Sequence, residues 1–252
     1  LPEGKRATKG KSIMNFISLE QGEQITSILS MPKSVKASDG LALLMVTKSG
    51  TVKKTSADKF REVRRSGLIA IGLDKGDSLI SAQFVRKADD AILVTSKGQA
   101  IRFAEKDVRE MGRQAGGVRG MKLRSGDSIV GAGVVPHDAK NPELLVLSST
   151  GYGKKTKLSE YKTQGRGGSG IKTMSITPKT KQLVGGAVVL SGGPGRAGEL
   201  VAMSKKSQTI RTGLEEIPTL SRATQGVRIM KLREGDQVAS FVIFGEVEVV
   251  SQ

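Results

Sequence analysis

Arg113-Gln-Ala-Gly-Gly117-Val-Arg-Gly-Met121-Lys-Leu123-Arg-Ser-Gly126-Asp127 decides the fold, because its pattern returns along the chain. An arginine, three residues and a glycine open the unit. The same opening stands at Arg6-Ala-Thr-Lys-Gly10, Arg166-Gly-Gly-Ser-Gly170 and Arg222-Ala-Thr-Gln-Gly226, with a copy one residue shorter at Arg64-Arg-Ser-Gly67. Gly10, Gly67, Gly117, Gly170 and Gly226 lie 57, 50, 53 and 56 residues apart. A fixed period of that length marks an array of repeated supersecondary units.

The residues after each glycine recur as well. Four positions on come Met14, Ile71, Met121, Met174 and Met230, and six positions on come Phe16, Leu73, Leu123, Ile176 and Leu232. Between them stand Asn15, Gly72, Lys122, Ser175 and Lys231. Apolar, polar, apolar at period two predicts a strand with one buried face. Three copies then turn through Gly76-Asp77, Gly126-Asp127 and Gly235-Asp236 into a further apolar strand such as Ile129–Val135. Gly and Asp suit turns, and no second carboxylate accompanies them at calcium-ligand spacing.

A hairpin lies between successive copies. Its first strands are predicted at Ala42–Val46, Ala91–Val94, Leu144–Leu147 and Leu200–Met203, short apolar runs of the kind covered on both faces. Polar turns follow at Thr47-Lys-Ser-Gly50, Thr95-Ser-Lys-Gly98, Ser148-Ser-Thr-Gly151 and Ser204-Lys-Lys-Ser207. Four residues past each turn stands a cation: Lys54, Arg102, Lys155 or Arg211. Helical periodicity is weak, with short turns expected at Ser56–Phe60 and Glu105–Arg109. The fold class is therefore all-β, a propeller-like array of four-stranded blades forming a single domain over residues 1–252. Its repeats are anchored near 6–16, 64–73, 113–123, 166–176 and 222–232.

Lys and Arg number 41 against 24 Asp and Glu, a formal charge of +17, which points to a polyanionic partner. An anionic membrane is disfavoured, because the basic residues lie in short strands rather than on amphipathic helices. No apolar run approaches the roughly 20 residues that span a bilayer. Cytoplasm, in association with the nucleoid, is the expected compartment. The chain has no cysteine, which excludes disulfides and cysteine-based metal sites, and its one histidine, His137, reads as a loop residue between Pro136 and Asp138. No acid, base and nucleophile converge, so no catalytic residue is assigned. The opening Leu1-Pro-Glu-Gly4, without an initiator Met, is expected to belong to a longer subunit.

A cation at one position of a repeat projects from equivalent places on every blade. Arg6, Arg64, Arg113, Arg166 and Arg222 would form one ring, with Arg65, Lys9 and Lys11 beside it. Arg119, Lys172 and Arg228 add to it from two residues past the glycine, and Lys54, Arg102, Lys155 and Arg211 would form a second ring. Such a belt suits the phosphates of double-stranded DNA without reading its sequence.

These segments resemble the C-terminal domain family of bacterial DNA gyrase A proteins, a β-pinwheel. Arg6–Asn15 is similar to its second-blade segment, Gly67–Asp77 to the third, Gly116–Leu123 to the fourth and Thr224–Met230 to the sixth. Gln164-Gly165-Arg166-Gly167-Gly168-Ser169-Gly170 resembles the family's signature box, with Gly165 and Ser169 replacing two of its cations and in a fifth-blade rather than first-blade position. The resemblance implies six blades in the intact domain and a rim that binds DNA and bends it into a right-handed wrap. It further implies support of negative supercoiling by an ATP-dependent type II topoisomerase, with the rest of the gyrase A protein and the gyrase B protein as partners. It places ATP, magnesium and the strand-cleaving tyrosine outside this chain, so no cofactor is expected here and Tyr152 and Tyr161 are read as structural or surface residues. The alternatives are the corresponding domain of topoisomerase IV and a propeller scaffold that binds acidic proteins.

Overall fold

Short apolar runs punctuated by glycine turns fold into strands throughout the computed structural model, which describes residues 12–17, 19, 22–23, 25–29, 40–61, 67–190 and 198–244. The strands are β1 (Ala42–Thr47), β2 (Thr51–Ser56), β3 (Leu79–Val85), β4 (Asp90–Thr95), β5 (Gln99–Ala104), β6 (Val118–Arg119), β7 (Ile129–Val135) and β8 (Glu143–Ser148). They continue with β9 (Tyr152–Lys157), β10 (Ile171–Lys172), β11 (Leu183–Val189), β12 (Glu199–Ser204), β13 (Thr209–Gly213), β14 (Val227–Arg228) and β15 (Val238–Phe244). The predicted hairpins and the short turns after them are present, the latter as 3₁₀ turns at Ala57–Phe60 and Glu105–Asp107.

Three antiparallel sheets have four strands, in the orders β3-β1-β2-β6, β10-β5-β4-β7 and β11-β8-β9-β14, and a fourth has three described strands, β13-β12-β15. In the four-stranded sheets the hairpin forms the middle, and in all four the long strand that follows it in sequence flanks the hairpin's first strand. The fourth place is filled differently from the expectation. The short strand after the anchor glycine leaves its own unit and pairs with the second hairpin strand of the preceding sheet: Val118 opposite Val52, Ile171 opposite Ala100, Val227 opposite Gly153.

The predicted strand four to six residues past the glycine is accordingly corrected. Two residues pair in the copies after Gly117, Gly170 and Gly226, where Met121, Met174 and Met230 follow as buried plugs outside any strand, while Ile13–Asn15 forms a 3₁₀ turn and Ile71–Leu73 lies in no strand. The reason is local hydrogen bonding. The carbonyl of Gly50 accepts from the amides of Gly120 and Met121, that of Gly98 from Thr173 and Met174, and that of Gly151 from Ile229 and Met230. These bonds curl the segment around the hairpin turn of the preceding sheet, which ends the ladder.

The anchor glycine is required by that docking. Gly117 and Gly226 have φ of +100° and +75°, and a Cβ on them would lie 2.7 Å from the carbonyl oxygen of Val52 and 2.5 Å from that of Gly153. A side chain at either position meets both a left-handed backbone and a strand main chain.

The core lies between consecutive sheets. Leu44, Val52, Leu93, Phe103 and Ile129 join the first two, and Ile92, Val94, Leu144, Val146 and Leu183 join the second and third. Leu145 and Leu147 pack toward Leu200 and Ala202 of the fourth. Each repeat thus buries its faces only against its neighbours, as in a one-dimensional array.

Candidate nucleic-acid interface

The docked segments touch one another from sheet to sheet. Gly72 donates its amide to the Ala115 carbonyl at 3.1 Å, Gly167 to Gly120 at 2.6 Å, and Lys122 to Gly168 at 2.9 Å. Ser175 donates to Thr224 at 3.0 Å. Arginines reinforce the line: Arg166 donates Nε to the Asp107 carbonyl at 2.7 Å and Nη1 to that of Arg119 at 3.1 Å, and Arg222 donates Nη1 to the Lys172 carbonyl at 3.2 Å. Segments 67–72, 112–124, 164–177 and 221–233 therefore make one continuous band.

Arg113, Arg119, Arg166, Lys172 and Arg228 are exposed along this band. None of them pairs with a described carboxylate. Arg222 is half-buried and stands 3.9 Å from a Glu160 carboxylate oxygen. In the loop 164–170, Gln164 donates its amide to the Arg102 carbonyl at 2.9 Å, while Gly165 and Ser169 are exposed. Gly167 and Gly170 take positive φ, and Gly168 joins the contact to Lys122. Arg6, Lys9, Lys11, Arg64 and Arg65 lie outside the described residues.

The second expected ring is corrected. Lys54 is buried and paired with Glu105, Arg102 pairs with Asp90 at 2.8 Å, Lys155 with Glu143 at 3.1 Å, and Arg211 with Glu199. The physical reason lies in the hairpin register. Arg102, Lys155 and Arg211 face Ile92, Leu145 and Val201, and two residues before each of those partners stands Asp90, Glu143 or Glu199, within diagonal reach. The first hairpin has Ala42 in that place, and Lys54 turns to the next repeat for its carboxylate. Thr163 and Thr219 donate to Asp90 at 3.0 Å and to Glu143 at 2.6 Å, so these pairs also fasten one repeat to the next. Positive charge held this way at Lys54, Arg102 and Lys155 is largely buried and neutralised locally, whereas the Arg211 side chain remains 70% exposed beside Glu199.

Two buried lysines escape the sequence reading. Lys53 and Lys154 have no exposed surface. Lys53 donates to the carbonyls of Ala70, at 2.7 Å, and Arg113, and Lys154 to those of Ser221 and Arg222 and to the Thr224 hydroxyl at 3.0 Å. Each therefore holds an arginine segment of the band from below. Burial lowers both pKa values, that of Lys154 from 10.5 to about 8, where Glu160 opposes the shift and Arg222 adds to it. The usable signal was in the repeats themselves: the same position is Ile101 and Ile210 in the other hairpins, so it faces the core.

The Gly-Asp turns also acquire partners. Asp127 accepts from the Ser96 hydroxyl at 2.8 Å and the Lys97 amide at 3.0 Å, and Asp77 and Asp236 cap the corresponding turns. Burial works to raise the pKa of Asp77 and of Asp236, and hydrogen bonds from Ser49 and Ser204 and from neighbouring amides outweigh it, leaving both carboxyls below their ordinary value. These turns carry exposed cations that the sequence reading passed over, among them Lys48, Lys97, Arg124, Lys206 and Arg233. His137 is a loop residue, with Nδ1 3.2 Å from Asp89 Oδ1. Tyr161 is buried, its hydroxyl 2.5 Å from that of Thr173, and burial raises its pKa. Among the described residues no helix is long and apolar enough to cross a membrane.

Comparison with known proteins agrees with this geometry. The family described as "DNA gyrase C-terminal domain, beta-propeller" matches residues 1–30, 42–86, 89–136, 142–189 and 198–244. The DNA gyrase A protein of Lawsonia intracellularis is 39% identical over 241 residues, covering 96% of this chain and 28% of that protein. The chain thus spans less than a third of such relatives. A solved DNA gyrase A C-terminal domain superposes with a TM-score of 0.76 at 29% identity, covering 94% of this chain and 76% of that one. The C-terminal domain of a DNA topoisomerase IV superposes at 0.81 with 25% identity, covering 93% and 70%.

Proposed function

The chain belongs to the DNA gyrase C-terminal domain family, and from that premise we propose that it binds double-stranded DNA along its band of docked segments and bends the duplex around them. The observation that carries the reading is continuity. Backbone hydrogen bonds join successive arginine segments, so cations from separate repeats follow one path. Bending DNA over tens of base pairs costs about 1–6 kcal/mol, and many distributed phosphate contacts can offset it. Arg113, Arg119, Arg166, Lys172, Arg222 and Arg228 supply such contacts, and sequence readout is not expected of them.

In this reading the chain acts within the gyrase A protein of a type II topoisomerase, working with the rest of that protein and with the gyrase B protein to introduce negative supercoils. ATP and magnesium serve elsewhere in the assembly, and the chain alone catalyses nothing. Topoisomerase IV shares the fold, but the identity is higher to the gyrase A domain, and the matching family and curated relatives are gyrase.

A salt titration of DNA affinity by mobility shift tests the proposal. The logarithm of affinity should fall with the logarithm of salt, by about 0.9 per phosphate neutralised. Replacing Arg119, Arg166, Lys172 and Arg228 with glutamine should flatten the slope by about three to four. An unchanged slope would remove the band from the DNA contact.

A further inference from the structure

One place on the band differs from its equivalents. In the third sheet the docked segment, the hairpin turn and the loop before β11 enclose a pocket of about 310 Å³ that includes Thr150, Tyr152, Lys179, Arg228 and Lys231. Arg228 Nη2 donates to the Tyr152 hydroxyl at 3.1 Å. The Lys179 ammonium and the Arg228 guanidinium stand 5.3 Å and 5.6 Å from the Tyr152 ring centre. Three exposed cations thus gather around one phenol, and none of them pairs with a described carboxylate.

The repeat explains why this happens once among the described residues. The Tyr152 position is Thr51, Gln99 and Gln208 in the other hairpins. From anchor glycine to the start of the following long strand is 12 residues in the other described repeats (Gly117 to Ile129, for one) but 13 from Gly170 to Leu183. The longer loop replaces Gly-Asp by Pro178-Lys179-Thr180-Lys181, and the Thr150 hydroxyl fastens it by donating to the Lys179 carbonyl at 2.8 Å. Where the other repeats offer a turn aspartate, this one offers another lysine.

Convergent cations with hydroxyl donors and no acid select a phosphate group. Tyr152 is buried, which excludes base stacking on its ring and leaves the charged rim for the ligand. Resting on the DNA reading above, we propose that Lys179, Arg228 and Lys231 around Tyr152 form a phosphate pocket that grips one backbone phosphate of the duplex and fixes where the DNA crosses the third sheet. The phenol is a sensitive reporter of such an event. The Arg228 hydrogen bond lowers its pKa against an opposing effect of burial, with the charges of Arg228 and Lys179 adding to the lowering, so an anion beside these cations changes the ring's electronics.

The chain contains two tyrosines, so ring-labelled tyrosine gives two NMR signals, assigned with Tyr161→Phe. The labelled 252-residue chain is titrated at neutral pH with inorganic phosphate and, separately, with a short duplex, with DNA binding followed in parallel by mobility shift. Phosphate should move the Tyr152 signal and leave Tyr161 in place, and the duplex should move the Tyr152 signal whatever it does to Tyr161, over whose ring Arg222 stands at 6.0 Å. The double variant Lys179→Gln/Arg228→Gln should lose both responses and lower the salt slope of DNA binding by about one to two. A Tyr161 signal that keeps its position in the free variant, before any titrant is added, reports that the variant is folded. A duplex that binds without moving Tyr152 overturns the pocket's place on the DNA path, even if phosphate alone moves it. No response to either titrant, with binding retained, overturns the pocket and leaves the DNA reading standing. Failure to bind DNA at all sinks that reading instead.

Discussion

Lys154 shows what a single residue can hide in a basic chain. Its neighbour Lys155 ends in an ion pair with Glu143, whereas Lys154 is fully buried beneath Ser221 and Arg222. Composition counts the two alike, and only comparison with Ile101 and Ile210 separates them. At the anchor position nothing apolar occurs, and Arg113 and Arg166 are exposed there. Burial gives Lys154 a measurable signature. Its pKa of about 8 in the folded chain lies below the 10.5 of the unfolded chain. Below about 8 both states carry the proton, and the full cost of burying charge is present. Between about 8 and 10.5 the unfolded state binds more protons, so stability rises with pH. Denaturant unfolding from pH 7.5 to 9.5 should show that rise, with a smaller share from Lys53, whose pKa is shifted in the same direction. Lys154→Met should flatten it, and a curve that keeps its slope in that variant would assign the proton elsewhere.

Secondary structure was half visible. The hairpins were read correctly because their apolar runs and glycine turns are local signals, and Gly50, Gly98 and Gly151 do take the positive φ that such turns need. The docked segment was misread as a longer strand of its own unit. Its apolar, polar, apolar spacing comes from a buried methionine plug rather than from pleating, and its pairing partner lies in the preceding sheet some 65 to 75 residues back in sequence. No local pattern encodes a partner at that range. The hairpin cations were also misplaced, since their diagonal acids sit at the start of the first strand and become neighbours only once register is set. Their role as fasteners separates stability from binding. Glu143→Gln leaves Lys155 half-satisfied in a site where both side chains are largely buried, and should cost about 2–4 kcal/mol in denaturant unfolding, near the range for breaking a buried pair. The salt slope for DNA should stay as it was. A flattened slope with unchanged stability would reinstate the hairpin ring as a contact surface.

At the scale of the molecule, bending must follow from how the repeats are joined. Each four-stranded sheet receives its last strand from the next unit, so neighbouring repeats are fixed by main-chain bonds. DNA resists bending over roughly 150 bp, so a cationic surface that merely attracted the duplex would leave it near straight. In the proposed function, a track joined from sheet to sheet, with cations on three successive repeats, makes bending the cheaper way to satisfy them all, since each phosphate reached releases counterions. Binding and bending are therefore separable outcomes. Nicked circular DNA should be ligated with increasing amounts of the chain, and the linking number of the products read after the protein is removed. A shift that grows with protein, of one sign, reports a wrap of one hand. The glutamine variant at Arg119, Arg166, Lys172 and Arg228 should lose the shift, while Glu143→Gln at a temperature where it remains folded should keep it. If the unaltered chain retards DNA in a gel yet leaves linking number untouched, the cations attract the duplex without steering it, and the joined segments are a scaffold rather than a path.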